Sequence, residues 1–150
     1  MPEVTTENSY LPEAEAEAYF SERLYATAWQ NAAQEDRQKS LIMATRLLDL
    51  NFTWKGEPVD KQQPLAFPRV GIGTPKAIQT AELELALLLL QTDLTKLPET
   101  AGIASVQVDT IKLELNPEDR NKLIPPQIID LVLPYGTMHG ELKPYFDVTR

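Results

Sequence analysis

Apolar residues recur at helical spacing in three separate stretches of this chain. In "LPEAEAEAYFSERLYATAW", Ala16, Phe20 and Leu24 step by four with Tyr19 beside them, which predicts a helix over about 12–29 with one apolar stripe. Pro12 falls where a first-turn proline is tolerated, and Glu13, Glu15 and Glu17 follow at the positive end of the helix dipole. In "QEDRQKSLIMATRLLDL", Leu41, Ala44 and Leu48 repeat, with Ile42, Met43 and Leu47 widening the face, and no proline or glycine intervenes. A second helix is expected over about 34–50. "TPKAIQTAELELALLLLQ" then pairs Thr74, as a cap, with Pro75 at the first helical position. Ile78, Ala81, Leu85 and Leu88 make one stripe of this third helix, and Leu83, Leu87 and Leu90 make another. A helix apolar nearly all round belongs at the centre of a fold or between subunits.

Between the second and third helices, "FTWKGEPVDKQQPLAFPRVGIGTP" has no period at all. It predicts a long ordered loop over 52–74, with Trp54 and Phe67 anchored on the helix core and Lys55 and Arg69 facing a partner subunit. After residue 90 the pattern changes to period two. Val106 and Val108 alternate with Gln107 and Asp109, then Ile111, Leu113 and Leu115 with Lys112 and Glu114, which predicts a strand or hairpin. "PPQIIDLVLPYG" has room for about two turns of helix between its prolines. Residues 1–9 read as a flexible start, and 135–150 as a tail that orders only against something else. The expected fold is mainly α and a single domain over 1–150. It is a small bundle of three longer helices and a short C-terminal helix, with one β-strand or hairpin extension and a C-terminal tail.

Composition narrows the chemistry. Lys and Arg total 14 against 22 for Asp and Glu in 150 residues, a formal charge of −8 that repels a phosphate backbone unless a local basic patch overcomes it. With no cysteine, disulfides and thiolate chemistry are out, and the fold depends on packing. The opening "MPEVTTENSY" lacks the pattern of a secretory signal, and the longest apolar run, Leu85 to Leu90, is far shorter than the roughly 20 residues of a membrane span. A soluble protein made in a cytoplasm, with no membrane partner, is expected. His139 is the single histidine, in a glycine-flanked stretch unsuited to holding catalytic geometry, and "GIGTPK" lacks the spacing of a phosphate-binding loop. No catalytic residue, metal site, cofactor or enzymatic activity is expected. The one constellation with chemistry is the loop. Trp54 and Phe67 interleaved with Lys55, Lys61 and Arg69 have the residue types of a stacking platform for single-stranded nucleic acid.

Four segments also carry a family resemblance: "NSYLPEAEAEAYFSERL" at 8–24, "ATRLLDLNFTWKGEP" at 44–58, "QQPLAFPRVGI" at 62–72 and "PKAIQTAELELAL" at 75–87. In this order they resemble the small helical head-to-tail adaptor proteins of tailed phages, also called head completion or neck proteins. That family often carries the label of a DnaT-like single-stranded DNA-binding protein. Phe67 stands where the family usually shows tryptophan, and Pro12 where it shows a capping serine; beyond residue 90 only the layout is similar. The resemblance implies a ring of about twelve copies in the virion neck. The ring sits between the portal protein and a tail terminator or stopper, with double-stranded DNA passing through its lumen. On that reading Tyr135, Leu142, Tyr145 and Phe146 insert into the portal, and Trp54, Lys55, Phe67 and Arg69 lie at the loop and subunit interface. The alternative is a single-stranded DNA-binding protein that uses those loop residues.

Overall fold

The expected bundle is there, with one of its helices broken. A computed structural model of the chain describes residues 3–94 and 124–139. Among these, α1 spans Glu13–Ser21, α2 Thr27–Asn31, α3 Gln34–Asn51, α4 Lys76–Gln91 and α5 Pro126–Val132. Strand β1, Phe52–Trp54, pairs antiparallel with β2, Gly136–Met138, placing Phe52 opposite Met138 and Trp54 opposite Gly136. This small sheet joins the start of the loop to a segment expected to be tail. The strand expected near 105–115 lies outside the described residues.

The single helix expected over 12–29 is two helices with a corner between them. Phe20 and Trp29 are the reason. Nine residues of continuous helix at about 100° each would send the two rings to opposite faces. Breaking the helix lets both bury, stacked with centroids 4.5 Å apart and planes at 26°. Tyr25 turns the corner with φ 59°, and Leu24, expected on the buried stripe, is 76% exposed. Arg37 from α3 locks the corner. Its Nε and one terminal nitrogen donate to the carbonyls of Trp29 and Gln30, the other terminal nitrogen donates to Glu17, and the guanidinium lies over the Trp29 ring.

Helix α3 keeps its predicted face, with Leu41, Ala44 and Leu48 fully buried. Helix α4 is buried on both predicted stripes as far as Leu87, with Leu88 and Leu90 half-buried, and packs against α3, α5 and α2. Thr74 does not cap it. Pro75 itself takes the cap position in an extended conformation, and its carbonyl accepts the amides of Ile78 and Gln79. Pro12 plays the same part for α1, so neither helix has a side-chain cap.

One carboxylate lies inside this apolar packing. Glu82, midway along α4, has no exposed surface. It holds the N-terminal segment across the helix: Tyr10 N–H lies 2.9 Å from Oε1 and Ser9 Oγ 2.6 Å from Oε2, while Gln79 donates to the Tyr10 carbonyl. Tyr10 extends the network by donating to Asp49 on α3, and Asp49 also accepts the Ala66 amide from the loop. Burial pushes the Glu82 carboxyl up to about 7, despite hydrogen bonds from Ser9 and Tyr10 that favour the anion, and it raises Asp49 as well.

A carboxyl raised in the folded state binds its proton more tightly there than in the unfolded chain. Its stabilising contribution is therefore full below about pH 4.5 and lost as pH rises to about 7. Urea unfolding is expected to show the protein less stable at pH 8 than at pH 5 by about 3 kcal/mol from this group. Glu82→Gln, which keeps the shape without the charge, is expected to remove most of that slope and to match or exceed the parent protein at pH 8.

Candidate interaction surface

The loop that carries the nucleic-acid residue types is folded inward. Phe67 is 2% exposed and meets Tyr10 and Trp54 edge-to-face, with centroids 5.7 and 4.9 Å away. Phe52 and Trp54 share one face of β1, so Trp54 is half-buried and tilted against Phe52. Both aromatic anchors therefore sit where the sequence placed them. The Phe67 ring is closed off from any base that would stack on it, while Trp54 keeps part of its surface exposed.

Arg69 is the correction. It was expected to face a partner, but it is 9% exposed and hydrogen-bonded within the loop. Its three guanidinium nitrogens donate to the carbonyls of Lys55, Gly56 and Ala66, each at 2.8 Å. Gln63 does similar work from outside, donating to the carbonyls of Leu65, Ala66 and Pro68. The loop runs without regular structure, so its carbonyls need partners, and these two side chains supply them. Lys55 is exposed, and its amide donates to the Tyr135 carbonyl. Tyr135 is half-buried against the core, which makes it part of the body rather than of a free tail. Leu142, Tyr145 and Phe146 lie outside the described residues.

Gly136 is a residue that sequence reasoning passed over. A Cβ there would come within 2.8 Å of both the Thr53 carbonyl oxygen and the Trp54 ring. Trp54 lies over the glycine of the opposite strand, and its ring fills the space a side chain would take. A glycine at a predicted loop-to-tail position carried no signal of this, because the pairing of β1 with β2 spans most of the chain.

Several large apolar side chains face solvent. Leu24 and Tyr25 project from the α1–α2 corner at 76% and 85% exposure, and Val59, Val70 and Ile72 project from the loop. Beside Tyr25 a groove of about 490 Å³ runs between α4 and α5, with Leu87, Leu88, Ile128 and Leu131 in its wall. An ion pair closes one side: Arg23 reaches Glu84 at 2.7 Å, and Tyr19 donates to the same carboxylate. Burial pushes the Glu84 carboxyl up, but its hydrogen bonds from Arg23 and Tyr19 outweigh that and hold it below the usual range. Arg37 and Lys39 are likewise paired, with Glu17 and Glu35. Among the described residues no cluster of His, Cys, Asp and Glu is arranged to hold a metal, and no helix is long and apolar enough to cross a membrane.

A family model described as "Putative DnaT-like ssDNA binding protein" matches residues 2–145. The chain belongs to that family. No curated protein matches it, and no solved structure does. In this DnaT-like family member, the match takes in the broken first helix, the inward-folded loop and the β2 segment alike.

Substitutions at Arg69, Gly136 and Lys55 test how the loop is held. Arg69→Ala strands three carbonyls and is expected to cost about 3 kcal/mol in chemical denaturation, with no rescue by Arg69→Lys, since one ammonium cannot span the three acceptors. Gly136→Ala is expected to destabilise by about 1–3 kcal/mol through the forced shift of Trp54, whereas Lys55→Ala is expected to stay within about 0.5 kcal/mol of the parent.

Proposed function

We propose that the protein works by assembling: it is a structural subunit of the head-to-tail adaptor type, forming a ring between portal and tail terminator or stopper in a tailed-phage virion, around double-stranded DNA. The observation that carries this reading is the exposure of Leu24 and Tyr25. Large apolar side chains held in solvent at a locked corner, beside a groove lined by both apolar and polar side chains, are the features of a surface meant for protein. Repeated head-to-tail contacts that close on themselves make rings, and a ring multiplies weak contacts into a stable assembly. The acidic balance suits a lumen through which DNA must slide. The chain catalyses nothing in this role, and residues 140–150 provide the portal contact.

A second reading, single-stranded DNA binding, is the one the family's description favours. The geometry limits it. Phe67 and Arg69 are turned inward, so a strand would meet Lys55, Lys61 and the half-buried Trp54 on the loop, with exposed Glu57 and Asp60 beside them.

The two readings separate on simple measurements. The assembly reading expects the protein in purified virions at about twelve copies. It also expects that Leu24→Asp with Tyr25→Asp abolishes incorporation at unchanged melting temperature, and that a 30-nucleotide strand at low salt is not bound. Salt-sensitive binding to that strand, weakened by Lys55→Ala, together with absence from virions, would establish the DNA-binding reading instead.

A further inference from the structure

The Ser9 hydroxyl has one proton and two acceptors within reach. Its Oγ lies 2.8 Å from the Leu11 carbonyl oxygen and 2.6 Å from Glu82 Oε2. Neither a carbonyl nor a carboxylate can donate. A single Ser9 proton can serve both contacts only as a shared, weaker three-centre bond; a proton on Glu82 Oε2, given to Ser9 Oγ, frees the hydroxyl's own proton for Leu11 and makes each a full hydrogen bond. The remaining carboxyl oxygen, Oε1, accepts the Tyr10 amide at 2.9 Å, as the carbonyl oxygen of a neutral acid does.

We propose that the N-terminal segment, residues 3–12, is a proton-dependent latch: it is closed on α4 while Glu82 is a neutral acid, and it opens when that proton is lost. Ionisation of Glu82 leaves Ser9 one proton for both the new anion and the Leu11 carbonyl, which weakens both bonds or strands a buried acceptor. The groups facing Glu82 offer the anion hydrogen bonds but no positive charge. From α3 come the Thr45 hydroxyl and Asp49, whose charge has the same sign; from the segment come Ser9 and the main chain of Tyr10. Arg69 acts on Asp49, and its donors are committed to loop carbonyls.

The rest of the segment is tied mainly to itself. Asn8 caps Thr5, and the Asn8 and Ser9 amides both return to the Thr5 carbonyl. Beyond Glu82, its polar ties to the body are Gln79 to the Tyr10 carbonyl and the Tyr10 hydroxyl to Asp49 and the Phe67 amide. Opening uncovers Phe67, whose ring lies edge-to-face with Tyr10. The latch thereby couples pH to how much apolar surface the loop presents.

Hydrogen exchange on the full chain, corrected for the intrinsic pH dependence of exchange, reads the latch directly. Between pH 6 and pH 8.5 the protection of the Ser9, Tyr10 and Leu11 amides is expected to fall by about tenfold or more, while the amides at the centre of α4, which open only with the whole fold, stay far better protected at each pH. In Glu82→Gln, whose amide group donates to Ser9 at every pH, the segment is expected to stay protected throughout. A second measurement needs no variant: infrared difference spectra with carbon-13-labelled glutamate are expected to show a buried protonated carboxyl at pH 6 that disappears by pH 8.5. Protection that is unchanged with pH, a pH response that persists in Glu82→Gln, or the absence of a protonated glutamic acid at pH 6 would each overturn the proposal.

Discussion

Helix α4 has to be hidden from water on nearly every side, and the arrangement of the other elements follows from that. Ile78, Ala81, Leu83, Leu85, Ala86 and Leu87 are all buried, so no single neighbour suffices. Helix α3 covers one face, α5 and α2 cover others, and the N-terminal segment is laid across what remains. Burying a large aliphatic side chain contributes about 1.5–3 kcal/mol, which makes this helix the main apolar contributor in a chain without disulfides. Glu82 is the exception within it. A carboxyl in such surroundings is tolerated because the segment that covers the helix also brings the groups that satisfy it, so the same residues seal the core and depend on the proton state of one side chain.

The loop solves a related problem with different chemistry. A long connector without regular structure has carbonyls to satisfy, and Arg69 and Gln63 do so from inside and outside. The combination of rings and cations that resembles a nucleic-acid surface in the sequence is here a way of making a loop rigid. Phe67 and Trp54 supply its apolar floor, and β1 and β2 tie its start to the C-terminal part of the chain. The exposed Val59, Val70 and Ile72 are carried on this held framework.

Three of the arginines are tied up within the fold. Arg23 and Arg37 are drawn into ion pairs that fix the α1–α2 corner, and Arg69 is buried. Among the described residues the exposed cations outside ion pairs are Arg46, Lys55, Lys61 and Lys76, in a chain of net charge −8. The corner they secure holds Leu24 and Tyr25 in solvent beside the groove of α4 and α5. The family's description and the arrangement of this surface thus pull in different directions, and the assembly reading rests on the surface.

Local signals in the sequence determined the helices that obey them. The stripes of α3 and α4 were legible because their periodicity is a local consequence of having one face, or all faces, in the core. The aromatic anchoring of the loop followed from the size of Trp54 and Phe67 and the overall charge. The break between α1 and α2 was not legible: the stripe through Leu24 is real at helical spacing, but stacking Trp29 on Phe20 outweighs it, and that contact exists only in three dimensions. The same holds for Arg69, whose partners are carbonyls with no sequence signature, and for Gly136, whose role depends on Trp54 across the sheet. Glu82 reads in sequence as one more acidic residue on a helix. Only the tertiary structure buries it, because covering α4 on every side leaves that position no path to water.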